Sequence, residues 1–88
     1  MPYVPQKRRN ALREEGKAND AGELNYQITR LLVNYTQQHT LKYKTINDVM
    51  GALEGAKAEY YRRVAAPYED EKIIENGDVY PWLLSANV

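Results

Sequence analysis

The side chains best equipped for chemistry fall together at Tyr60-Tyr61-Arg62-Arg63, just before Pro67-Tyr68. A guanidinium offers a planar fork for phosphate or carboxylate, and a tyrosine ring offers a platform for stacking. Asn25, Tyr26 and Arg30 could complete a pocket with Tyr60, Arg63 and Tyr68 if the two stretches lie side by side. A nucleotide or another phosphorylated small molecule would suit that lining. The competing reading is structural: Arg62 or Arg63 bridges to Glu69 or Asp70, with tyrosine stacked over the pair. Residue types alone leave both open.

Other candidate groups are weaker. Glu69, Asp70, Glu71, Glu75 and Asp78 form one local acidic run. Magnesium-dependent phosphate chemistry needs carboxylate oxygens converging on the ion. The other acids, Glu23, Asp48, Glu54 and Glu59, do not form the required pairs on facing helices. His39 is the single histidine and Ser85 the single serine, so a nucleophile–base–orienter set has little to draw on. No cysteine is present, which removes disulfides and the usual structural zinc site. Gly51 and Gly55 lie inside a helical pattern, not in a phosphate-cradling loop. No metal or cofactor is expected. Lys7, Arg8, Arg9 and Arg13 could give weak, salt-sensitive nucleic-acid binding. They could equally pair with the acidic segment 69–78 of another copy.

These residues must be positioned by helices. Asp20 followed by Glu23 is a capping-box pattern, and Leu24, Ile28, Leu31, Leu32 and Tyr35 then recur on one face. The spacing predicts a helix over 20–39. Thr45 with Asp48 suggests a second cap. Ile46, Val49, Met50, Leu53, Ala56, Tyr60 and Val64 continue a helical period over 45–66. The short link between them implies an antiparallel hairpin. Pro67 should end or kink the second helix and open a short third one, 67–76, stopped by Asn76-Gly77. Residues 1–19 read as a basic arm in which Gln6 to Glu15 could form a short helix, its apolar content, mainly Leu12, too poor to hold it down alone, and 20–88 read as one small domain. The fold class is therefore all-α.

Eighty-eight residues bury a modest core, and small domains without disulfide or metal often gain stability from a partner. Gly51 and Gly55 each cost about 0.5–1 kcal/mol relative to alanine inside a helix. With Ala52 and Ala56 beside them, they imply the close approach of a backbone, from the first helix, a second subunit or a ligand. The apolar tail Val79-Tyr80-Pro81-Trp82-Leu83-Leu84 also needs cover. A homo-oligomer through Gly51, Ala52, Gly55, Ala56, Trp82 and Leu83 is the expectation. Formal net charge is zero, but residues 1–17 carry five basic against two acidic side chains, and 69–88 one against five. That balance disfavours a dedicated duplex-DNA binder. No run approaches the roughly 18–20 apolar residues needed to span a bilayer, and the first residues lack the order of a secretory signal. A cytoplasmic protein is expected.

The string Gly22-Glu23-Leu24-Asn25-Tyr26, Thr45-Ile46-Asn47-Asp48-Val49, Gly51-Ala52-Leu53-Glu54, Ala56-Lys57, Tyr61-Arg62-Arg63-Val64, Pro67-Tyr68-Glu69-Asp70, Lys72 and Glu75-Asn76-Gly77-Asp78-Val79-Tyr80 resembles a family of small uncharacterised proteins. Such proteins occur in bacteriophage, prophage and bacterial genomes. The resemblance spans about residues 22–80 and leaves the arm and the tail outside. It implies a phage-related setting and supplies no catalytic residues.

The expected function is a non-catalytic binding protein that sequesters or inhibits a host component, with a nucleotide-like molecule as one candidate ligand. One alternative is a magnesium-dependent nucleotide-processing enzyme using Glu69, Asp70 and Glu75. The other is an accessory nucleic-acid binder using the arm.

Overall fold

A computed structural model of the protein describes residues 3–82. Its regular structure is helical throughout: α1 (Gln6–Glu15), α2 (Ala21–His39), α3 (Tyr43–Tyr60), a five-residue π-helical turn (Tyr61–Ala65) and α4 (Ala66–Asn76). The all-α class expected from periodicity is what the chain adopts. It divides into two compact units, Met1–Met50 and Gly51–Val88.

In the first unit, the short helix that Gln6 to Glu15 could form within the arm is present as α1. Gly16 terminates α1 at φ +70, and its amide donates to the Leu12 carbonyl at 2.9 Å. That left-handed position favours glycine because it has no Cβ. Leu12 is 2% exposed, and Leu12 and Val4 are the buried apolar side chains among the described residues. Leu12 alone looks too little to hold α1 down. Arg8 supplies the rest, through the clamp described below.

α2 starts as its sequence implies: Asp20 caps it, accepting the Glu23 amide at 2.8 Å. α3 begins two residues earlier than the Thr45 cap suggested. Thr45 is buried inside the first turn, and its hydroxyl donates to the His39 carbonyl at 3.4 Å. Asp48 is not free for a capping box, because it pairs with Lys44 four residues back at 3.1 Å. The link between α2 and α3 contains Thr40 at φ 74, ψ 143, a positive φ that a β-branched residue adopts only under strain.

Along the apolar stripes, Leu24, Ile28 and Leu31 on α2 and Leu53 and Tyr60 on α3 are exposed, Leu31 at 69% and Tyr60 at 65%, while Leu32 and Val49 are half-buried. Periodicity correctly marks the faces but does not say what covers them.

In the second unit, Pro67 does not break the chain's helical run. Proline has no amide, and in a regular α-helix its ring presses on the carbonyl four residues back. Here the ladder widens ahead of it, and the Ala66 amide donates to the Tyr61 carbonyl, five residues back. The expected boundary at 66–67 is therefore a π turn leading directly into α4. α4 stops at Gly77, φ +89, whose amide donates to the Ile73 carbonyl at 2.8 Å. Trp82 is exposed, its ring edge-on to Tyr80 at 6.3 Å. Leu83, also assigned to the interface from sequence, lies outside the described residues.

Candidate functional site

The most fully built polar site is a clamp that joins α1 to the start of α2. Arg8 meets Glu23 with both prongs of its fork: Nε to Oε2 and Nη2 to Oε1, each at 2.7 Å. Nη2 also donates to the Lys17 carbonyl at 3.3 Å, tying down the intervening loop. The Asn19 amide adds a third donor to Glu23 Oε1 at 2.9 Å. Bidentate, charge-assisted geometry of this kind fixes orientation as well as adding energy. The carboxyl responds accordingly. The Arg8 hydrogen bond, then the Asn19 amide, hold its pKa down at about 2, against an ordinary 4.5. Glu23 in turn raises the pKa of Arg8. A shallow cleft of about 210 Å³ opens beside the clamp, lined by Tyr3, Val4, Pro5, Asp20, Gly22 and Glu23.

Sequence reasoning misses this pairing. The capping box marks Glu23 as structural, but nothing in a linear spacing of fifteen residues points to Arg8. The clamp also removes Arg8 from the cations open to an outside polyanion.

The residues assigned to a ligand pocket lie in both units. In the first, Asn25 Oδ1 accepts the Thr29 hydroxyl at 3.0 Å, and Tyr26 and Arg30 are half-buried on α2. In the second, Glu59 gathers both arginines. Arg63 Nε reaches it at 2.7 Å, and Arg62 Nη2 meets both carboxylate oxygens at 3.0 Å. The i+3 and i+4 spacing puts both arginines within reach of Glu59 on the helix surface. The bridge to Glu69 or Asp70 does not form. Glu69 instead accepts the Tyr61 hydroxyl and raises its pKa. Tyr60 is exposed, and Tyr68 carries Lys72 Nζ at 5.4 Å from its ring centre. Lys72 also pairs with Glu75 at 3.0 Å.

Two of the acids proposed for magnesium, Glu69 and Glu75, thus already hold neighbours. Among the described residues no group of three or more histidine, aspartate or glutamate side chains converges as a cation site. His39 packs against Tyr35, ring centres 4.3 Å apart. Among the described residues no helix is long and apolar enough to cross a membrane.

The glycines expected to face a close backbone are open. A Cβ built on Gly51 or Gly55 meets nothing within 4 Å.

The chain is an all-α protein with one clamped helical corner. It belongs to the family described as a domain of unknown function, DUF6899, which it matches over residues 1–79. The match includes the N-terminal segment that the sequence resemblance left out, in keeping with the docking of α1 by Arg8 and Leu12. No curated protein and no solved structure matches the chain.

Proposed function

We propose that the protein is a non-catalytic binding protein of phage or prophage type, working as a homo-oligomer in the bacterial cytoplasm. It sequesters or inhibits a host component, and a phosphorylated, nucleotide-like molecule is the ligand class that Asn25, Tyr26, Arg30, Tyr60, Arg63 and Tyr68 would suit. The observation that carries the reading is the pair Gly51 and Gly55 inside α3, where a built Cβ meets nothing within 4 Å among the described residues. Each costs about 0.5–1 kcal/mol of helix stability relative to alanine. That cost is recovered where another backbone approaches, as Ala52 and Ala56 beside them allow. The phage setting rests on the resemblance of the 22–80 string.

Native mass spectrometry of the protein purified gently from a bacterial host tests the reading. A homo-oligomer carrying a reproducible small-molecule adduct supports it; a bare monomer overturns it. Gly51→Ala with Gly55→Ala separates assembly from folding. Helicity should hold or rise while sedimentation shifts toward smaller species. An unchanged sedimentation profile would remove the glycine face from the interface.

A further inference from the structure

The link between α2 and α3 contains no residue that calls for a turn. It reads His39-Thr40-Leu41-Lys42-Tyr43-Lys44-Thr45-Ile46, with no glycine, proline, asparagine, aspartate or serine. The stops of α1 and α4 place glycine at their positive φ, Gly16 and Gly77. Here Thr40 takes that position, at φ 74 and ψ 143, outside even the left-handed well that asparagine and aspartate tolerate. Little holds the bend in return. Of residues 39–46 only Thr45 is buried. Its hydroxyl reaches back across the link to the His39 carbonyl at 3.4 Å, a long hydrogen bond.

The helical period nevertheless runs through the link unbroken. At about 100° per residue from Leu24, the α2 residues Ile28, Leu31 and Tyr35 fall at about +40°, −20° and +20°. Ile46 and Val49 of α3, counted straight through the link, fall at about +40° and −20°. A turn made of Thr40, Leu41 and Lys42 sets no such condition on the phase of the next helix. One continuous helix does.

We infer that the link is a strained hinge with a second, straight state: Thr40, Leu41 and Lys42 become helical and join α2 to the start of α3 as one rod. In the rod the six apolar residues lie along one side. Relaxation replaces the Thr40 conformation with the helical one. It also pairs the last carbonyls of α2 with the first amides of α3, groups that two separate helix ends leave without intrahelical partners. Thr45 gives up its bond to His39. At a helical position its hydroxyl can turn to the carbonyl four residues back, as Thr36 does to Leu32 at 3.0 Å. The burial of Thr45 is what the bend keeps in exchange. Two states so balanced shift with any ligand or contact that favours one of them. The inference does not depend on the homo-oligomer reading, and every residue it uses lies within the first unit.

The chain has no cysteine, so spin labels can be placed cleanly. Asn25→Cys and Asn47→Cys, both at exposed positions, carry nitroxides in the full chain. The labelled protein is diluted into unlabelled protein, so that each distance arises within one chain. Positions 25 and 47 are 22 residues apart, about 33 Å along a continuous helix, and any bend brings them closer. Double electron–electron resonance should show a component near that distance when position 40 is threonine. Thr40→Ala should raise its ratio to the shorter component by up to about threefold, through helix propensity. Thr40→Gly should lower it by about tenfold or more, because glycine both relieves the bend and is a poor helix former. A single short distance shared by all three chains overturns the inference, as does a long component that ignores residue 40. Hydrogen exchange gives a second reading without labels. The amides of Leu41, Lys42 and Tyr43 should be better protected in Thr40→Ala than in Thr40→Gly, and equal protection refutes the hinge.

Discussion

Leu12→Ala should undock the N-terminal helix. Leu12 is 2% exposed and shares the burial of apolar side chains among the described residues with Val4 alone. The substitution removes three carbons, worth about 0.8 kcal/mol each on transfer, and leaves a cavity beyond that. Leucine-to-alanine changes at buried sites cost roughly 2–5 kcal/mol, and about 3 kcal/mol is the reasonable value where one flank is a clamp. A ten-residue helix has little stability of its own. The loss should therefore appear locally, as release of α1, before the rest of the chain unfolds. Native-state hydrogen exchange reads it directly. Protection of the α1 amides should fall about a hundredfold, since each 1.4 kcal/mol is a factor of ten. Ile74→Ala, at an exposed position, serves as the control and should move stability by no more than about 0.5 kcal/mol. If Leu12→Ala leaves α1 protection and helicity unchanged, the docking of the N-terminal segment is refuted, and the segment is the loose arm that its composition suggests.

Two further outcomes follow from local geometry. The Glu23 carboxyl is held at about 2 against an ordinary 4.5, so the unfolded state takes up this proton first as the solution is acidified. Its contribution is fully present above about pH 4.5 and is lost as pH falls toward 2. Glu23→Gln should abolish that slope and leave α1 weakly protected at every pH; an unaltered acid profile by hydrogen exchange would contradict the clamp. At Thr40, glycine relieves a strain of roughly 1–3 kcal/mol while adding roughly 0.4–1 kcal/mol of unfolded-state entropy. Thr40→Gly should therefore raise thermal stability by about 1 kcal/mol, and a fall in the melting temperature would show that the link is not strained.

Local signals in the sequence were reliable where the partner lies within one helical turn. Asp20 and Glu23, the Glu59 pairs with Arg62 and Arg63, and the stop at Gly77 were all legible for that reason. The Arg8–Glu23 clamp was not, because it depends on the path of the loop after Gly16. Thr45 misled because a threonine before an apolar run fits a cap, whereas the His39 carbonyl draws its hydroxyl backward. Pro67 read as a break because its usual cost falls on the carbonyl four residues back, and a widened turn evades that cost. The apolar stripes were visible in full, but periodicity carries no information on whether their cover comes from the same chain.

That widened turn sets the phase of everything after it. A four-residue step in a regular α-helix overshoots a full circle by about 40°, so two steps from Tyr60 to Tyr68 would drift by about 80°. The extra residue held in the turn at 61–65 takes back much of that drift and keeps Tyr60, Val64 and Tyr68 nearer to one line. The turn works like a vernier: it lets a proline enter the chain without rotating the surface beyond it. Loss of a single residue there would turn α4 by about 100° and present a different face. The length of this segment should accordingly be held as tightly as its residue types, and a family member one residue shorter should also lack the proline.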